Sequence, residues 1–146
     1  MAEEEMQLTN QLCFSVYNAS RLFSKFYQQV LAPFKLTYPQ YLVLLSLWAK
    51  DNQSLHELGA ELKLNSNTLT PLLKRLEVAG WINRQRPEND RRQLKIQLTP
   101  LAKQQQHAVY TAVSTCISRD QLVLEKYQTA LTINNELVTE LESILS

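Results

Sequence analysis

Glycine is nearly absent. Only Gly59 and Gly80 occur in 146 residues, which leaves no room for a glycine-rich phosphate loop and excludes the nucleotide-binding motifs built on one. The two histidines, His56 and His107, and the two cysteines, Cys13 and Cys116, stand far apart with no CxxC or HxxxH pair, so no metal is expected. Neither a Ser/His/Asp motif nor the strand-helix alternation of a thioredoxin-like fold is present. An enzyme is therefore not expected, and no organic cofactor is implied. Apolar runs are too short to span a bilayer, and the acidic start from Met1 to Glu5 has no signal-peptide pattern. These absences predict a cytoplasmic protein with no membrane partner, in which two distant cysteines are either inert core residues or redox chemistry rather than structural staples.

What is present is an apolar content of 45%, enough for one globular domain over residues 1–146 with a real core. Residues 6–31 place Leu8, Leu12, Val16, Ala19, Phe23, Phe26 and Val30 at spacings of three and four, the seam of a helix that Pro33 ends. Pro39 opens a second helix at its first turn, with Tyr41, Leu42, Leu44, Leu45 and Trp48 forming a nearly all-round apolar surface. From Pro100 onward two long helices are expected, broken near Ser118 to Asp120, with apolar stripes on each. The terminal stripes exceed what a small domain can cover. They predict a homodimer, with dimerisation helices at about 5–32 and 100–146.

Between them, at about 37–99, lies the pattern of a winged helix-turn-helix within a mainly α fold. Ser54 is placed to cap a helix with Glu57 at capping-box spacing and Leu55, Leu58 and Leu62 inward. After a turn at Leu64-Asn65, Ser66 or Asn67 caps a second helix that buries Leu69, Leu72, Leu73 and Leu76 and stops at Gly80. Pro71 is expected in or just after its first turn, where a missing amide costs little. The opposite face carries Ser66, Asn67, Thr68, Thr70, Lys74 and Arg75, residue types suited to base edges and phosphates. Two strands follow, around a turn at Pro87 to Asp90. From Lys74 to Lys95 seven basic residues, among them Arg84, Arg86, Arg91 and Arg92, face three acidic ones in a chain of net charge +1. A charged hairpin alone is an ordinary solvated face, but directly after a helix-turn-helix it is a footprint for double-stranded DNA.

The order of elements resembles the MarR family of dimeric transcription regulators over nearly the whole chain. The wing carries Asp90 followed two residues later by Arg92, and the stretch Leu69 to Glu77 resembles the family's recognition helix. The resemblance implies that Arg92 enters a minor groove, while the symmetry of the predicted dimer implies an imperfect palindrome with half-sites about 34 to 36 Å apart or multiples of that. The segment from Asn10 to Phe14, with Tyr17, Ser20 and Arg21, and the segment from Leu36 to Leu42 resemble the organic-hydroperoxide-sensing branch, OhrR. That branch implies a reactive Cys13 hydrogen-bonded by tyrosines, matched here by Tyr17, Tyr27 and Tyr38. Its two-cysteine type implies that Cys116 of the partner subunit resolves the oxidised sensor as a disulfide. Repression, with organic hydroperoxide as the oxidant, is implied by the same resemblance.

The chemistry can also be read from the residues. A free thiol ionises near pH 8.5, so only about a few per cent is thiolate at pH 7, and a sensor must raise that share. Cys13, Tyr17, Ser20, Ser24, Tyr27 and Leu31 share one helical stripe, so hydroxyl groups line the edge that carries the sulfur. Phe14 and Phe23 oppose ionisation but suit an organic peroxide. Three other readings remain open: a regulator released by a small aromatic or lipophilic ligand, a thiol peroxidase, and a metal sensor using both cysteines and both histidines.

Overall fold

Local signals fix where each helix begins. The computed structural model describes residues 2–90, 92–119 and 124–146, without the side chains of 116–119 and 124. Residues 3–6 and 8–10 form two 3-10 turns, and the first long helix, α1, spans Leu12–Leu31. It was expected from residue 6. The start is delayed because Gln7 and Gln11 are extended and the Asn10 and Gln11 side-chain amides donate to the Glu4 and Glu5 carbonyls, at 2.8 and 2.7 Å. After α1 a 3-10 turn containing Pro33 and a left-handed Lys35 redirect the chain. A capping box follows: the Thr37 amide donates to Gln40 Oε1 at 2.9 Å and the Gln40 amide to the Thr37 hydroxyl, opening α2 at Tyr38–Ala49 with Pro39 in its first turn.

A two-residue strand β1, Gln53–Ser54, which the sequence pattern did not suggest, leads into α3, Leu55–Leu62. Ser54 caps α3 by accepting from the Glu57 amide at 3.0 Å, while the Glu57 carboxylate turns to Lys50 at 3.6 Å instead of closing a box. The next helix, α4, spans Ser66–Val78 and is capped by Asn65, whose side chain accepts from the Thr68 amide at 3.0 Å. The cap is thus one residue earlier than expected, and Pro71, expected in or just after the first turn, is the sixth residue and lies inside the helix. At the far end the Trp81 amide reaches the Leu76 carbonyl and the Gly80 amide that of Glu77, both at 3.0 Å. Gly80 takes a φ of +87°, the conformation this C-terminal motif demands.

Strands β2, Ile82–Gln85, and β3, Lys95–Leu98, pair antiparallel with Ile82 opposite Leu98, and β1 adds to the other edge of β3. The Thr99 hydroxyl donates to the Gly80 carbonyl at 2.6 Å and accepts from the Ala102 amide at 3.2 Å, capping α5, Pro100–Arg119. The last helix, α6, spans Leu124–Leu145; the break expected near Ser118 to Asp120 is not yet reached at Ser118 and Arg119, which continue α5, and Asp120 lies outside the described residues. The core gathers Val30 and Leu31 of α1, Val43, Leu44 and Leu47 of α2, Leu58, the α4 leucines, Ile82, Ile96, and Ala102 and Val109 of α5. The Trp48 indole ties α2 to α5 by donating to the Ala102 carbonyl at 3.1 Å. No described helix is long and apolar enough to cross a membrane.

Gly59 sits where α3 must clear the turn into α4. A Cβ there would lie 2.9 Å from the Leu64 carbonyl oxygen, a backbone atom that cannot rotate away. Helix propensity favours alanine over glycine by about 1 kcal/mol, and overpacking costs about 1 to 3 kcal/mol. Gly59→Ala is therefore expected to lower unfolding stability by up to about 2 kcal/mol, read from the urea midpoint; a raised midpoint would show that the turn yields.

Candidate DNA interface and thiol site

The packing of α4 decides what it can offer a partner. Leu69, Leu72, Leu73 and Leu76 are buried, so helical geometry turns Asn67, Pro71, Lys74 and Val78 directly away from the core. Ser66, Thr68, Thr70 and Arg75 flank that line, all exposed. Pro71 and Val78 were not foreseen as part of this face, although projecting the sequence onto a helix with its leucines inward finds them. Val78 is 82% exposed, an unusual position for an apolar side chain.

The wing is fixed at its root. Arg84, expected as a phosphate contact, points its guanidinium at Glu77 Oε1, 3.1 Å away, and its own amide donates to Glu77 Oε2 at 3.0 Å. Arg84 is thus a brace between β2 and α4. The same hydrogen bond, ahead of the charge of Arg84, holds the Glu77 carboxyl below the usual carboxylate range. At the tip the Asp90 amide reaches the Pro87 carbonyl at 3.2 Å, and Asp90 Oδ1 accepts from the Arg92 amide at 3.1 Å. Asp90 therefore shapes the turn that presents Arg92. Arg86 and Arg92 are exposed on the wing, and Arg91 lies outside the described residues.

Cys13 is a free, exposed thiol in the first turn of α1. One turn on, the Tyr17 ring lies under the Arg21 guanidinium, 5.5 Å from ring centroid to carbon, and is 61% exposed. Tyr27 stands fourteen residues from Cys13 on the same helix, about 21 Å at roughly 1.5 Å per residue. The hydroxyl stripe therefore does not bring Tyr27 to the sulfur within one chain. Tyr27 instead stacks on Tyr38 with centroids 4.5 Å apart and neighbours Tyr41 at 5.6 Å. Burial, followed by Tyr41 and Tyr38, pushes the Tyr27 phenol up to about 12, and burial, followed by Tyr110 and Tyr38, does the same to Tyr41. These phenols are neutral hydrogen-bond donors at physiological pH, not bases. Tyr27, Tyr38 and Tyr127 line a cavity of about 680 Å³ between α1, α2 and α6, with Val16, Phe23 and Leu131. Cys116 belongs to α5, but its side chain lies outside the described ones.

Large apolar side chains stay uncovered on both terminal helices. Leu12, Val16, Leu22 and Phe23 of α1 and Leu131, Ile133, Leu141 and Leu145 of α6 are each more than two fifths exposed. An ion pair between Lys63 and Glu142 joins the far end of α6 to α3.

Comparison with known proteins places this architecture. The family described as transcriptional regulator SarA/Rot matches over residues 25–110. The chain is 47% identical over 96 residues to the organic hydroperoxide resistance transcriptional regulator of Bacillus subtilis (strain 168), covering 66% of this chain and 65% of that one. It spans between half and about two thirds of the length of the curated relatives it matches first. Reduced AbfR bound to DNA superposes with a TM-score of 0.90 at 47% identity, covering 100% of both chains. Disulfide-formed AbfR gives a TM-score of 0.70 at 48% identity, covering 98% of this chain and 95% of that one.

The brace at the wing root generates a pH-dependent expectation. A carboxyl lowered in the folded state contributes stability above its unfolded value, and that stability is lost as pH falls through the lowered one. Both partners are partly exposed, so Glu77→Gln is expected to cost about 1 kcal/mol at neutral pH, with the deficit shrinking in acid. Thermal melts of both proteins between neutral and acidic pH test this; a deficit that does not change with pH would remove the ionic part of the brace.

Proposed function

The chain belongs to the SarA/Rot family of transcriptional regulators, with a MarR-type winged-helix architecture, and from that premise we propose that it is a DNA-binding repressor switched by thiol oxidation. The observation that carries this reading is the free, exposed Cys13 on an apolar terminal helix of a DNA-binding architecture.

The working unit is a homodimer. The uncovered apolar faces of α1 and α6 support it, because a monomer in water would leave them unburied. Two-fold symmetry sets two α4 helices on the half-sites of an imperfect palindrome. Ser66, Asn67, Thr68 and Thr70 meet base edges, while Lys74, Arg75, Arg86 and Arg91 meet phosphates and set the salt dependence of affinity. Arg92, shaped by Asp90, enters the minor groove.

Organic hydroperoxide is the signal. The Cys13 thiolate attacks the outer peroxide oxygen; the O–O bond breaks, the sulfur becomes sulfenic acid, and the alkoxide takes a proton to leave as the alcohol. The thiol at Cys116 of the partner subunit then condenses with the sulfenic acid, forming the S–S bond and releasing water. Reduction by a thiol system reverses the switch. Tyr17 stands one turn from the sulfur, and any role of Tyr27 as a donor to Cys13 requires the dimer, since about 21 Å of helix separates them in one chain; Tyr38 stacks beside Tyr27. Similarity to the Bacillus subtilis organic hydroperoxide resistance regulator supports the oxidant class, and the disulfide-formed AbfR supports the type of switch. The tyrosine-lined cavity favours a second reading, in which a small aromatic or lipophilic ligand occupies it and releases the DNA.

Binding to the chain's own upstream DNA, with and without cumene hydroperoxide, separates the two readings. Wild type is expected to release DNA reversibly and to show a dimer-sized band on a non-reducing gel, with Cys13→Ser deaf to peroxide and Cys116→Ser lacking the band. Peroxide-driven release that persists in Cys13→Ser would reject the sensor role. Separately, Arg92→Ala is expected to weaken operator binding about tenfold or more while Cys13 oxidises at the wild-type rate; normal binding by that variant would take Arg92 out of the interface.

A further inference from the structure

Pro71 is out of place by ordinary helix rules. It is the sixth residue of α4, and the helix runs through it unbroken to Val78. A proline there removes the amide that would bond the Asn67 carbonyl and crowds that carbonyl with its ring, so it destabilises the helix. The core does not use it: the ring is exposed, and the packing is carried by the leucines on the other side. Asn67 is exposed as well, so water can reach the carbonyl left without its amide, and the helix tolerates the loss.

What distinguishes Pro71 is its position at the centre of the outward line, one turn after Asn67 and one turn before Lys74. There it offers a rigid apolar surface between polar neighbours. In the major groove the matching apolar group is the 5-methyl of thymine. We infer that Pro71 is a specificity-determining residue of the DNA-reading face, its ring seated against the methyl of a thymine in each half-site with Asn67 and Lys74 flanking the contact. The inference rests on the reading of α4 as the helix that enters the major groove. It assigns a use to a residue whose cost to the helix the fold itself does not offset.

The probe is a duplex enriched from random-sequence DNA by the wild-type protein under reducing conditions. Each thymine is replaced in turn by deoxyuridine, which keeps base pairing and deletes only the 5-methyl. At one thymine per half-site the swap is expected to weaken wild-type binding roughly threefold to fivefold, the worth of one buried methyl-sized group. The same swap leaves Pro71→Ala unaffected, and that variant melts at a higher temperature because the helix regains an amide and a better helix former. Wild-type indifference to every swap, or equal sensitivity in Pro71→Ala, overturns the inference. Asn67→Ala and Lys74→Ala locate the failure. If both bind the duplex as tightly as wild type, α4 is not the reading helix and the underlying reading falls too; if they weaken binding while no methyl swap registers, only the role of Pro71 falls.

Discussion

The buried leucines of α4 constrain everything this protein can present. Four leucines on one side of a thirteen-residue helix are sealed in the core, and each is worth about 1.5 to 3 kcal/mol of burial. Rotating the helix by one residue would expose that stripe and forfeit about 6 to 12 kcal/mol, comparable to the whole stability of a small domain. The helix therefore has one orientation. Its outward line is fixed as firmly as its inward one, although the side chains along it are exposed.

The elements around α4 extend that rigidity to the wing. Asn65 stops the helix from starting earlier, the motif at Gly80 stops it from running on, and the Trp81 amide hands the chain directly to β2. Glu77 then holds Arg84 from both its side chain and its backbone. One carboxylate thus sets the angle between helix and hairpin, and Asp90 at the far end sets the shape of the tip. A reading surface built this way meets a partner already formed, and little ordering remains to oppose binding.

Much of this was legible in the sequence, because the leucine spacing, the glycine stop and the alternation Leu94 to Leu98 each express one local rule. The misreadings share a cause: a local rule met a competing partner. Glu57 has the spacing of a capping box but is drawn to Lys50. Ser66 is a good cap, yet Asn65 reaches the Thr68 amide first and displaces Pro71 into the helix interior. Arg84 counted toward a basic patch, but an acidic residue seven positions earlier folds back beside it. Cys13, Tyr17 and Tyr27 share a stripe, and a stripe says nothing of the distance along it. Composition and periodicity report faces; they do not report which of two available partners a side chain takes.

The switch proposed at Cys13 would need only a modest free-energy difference. The Cys13 end of α1 is exposed, while its other end, at Val30 and Leu31, is locked into the core beside α2. Release of DNA by a hundredfold requires about 2.8 kcal/mol of difference between the reduced and oxidised states. That is close to the burial of a single leucine, so the coupling does not demand wholesale rearrangement. A disulfide constrains Cα atoms to about 4.4 to 6.8 Å, and in the proposed switch each Cys13 end would be drawn to that distance from α5 of the partner subunit. Because α4 cannot rotate within its own domain without exposing its leucines, a displacement of this kind in the proposed dimer would change the spacing or angle between the two reading helices. A palindromic site is least tolerant of that error, since each half-site contact is kept and only their simultaneous engagement is lost.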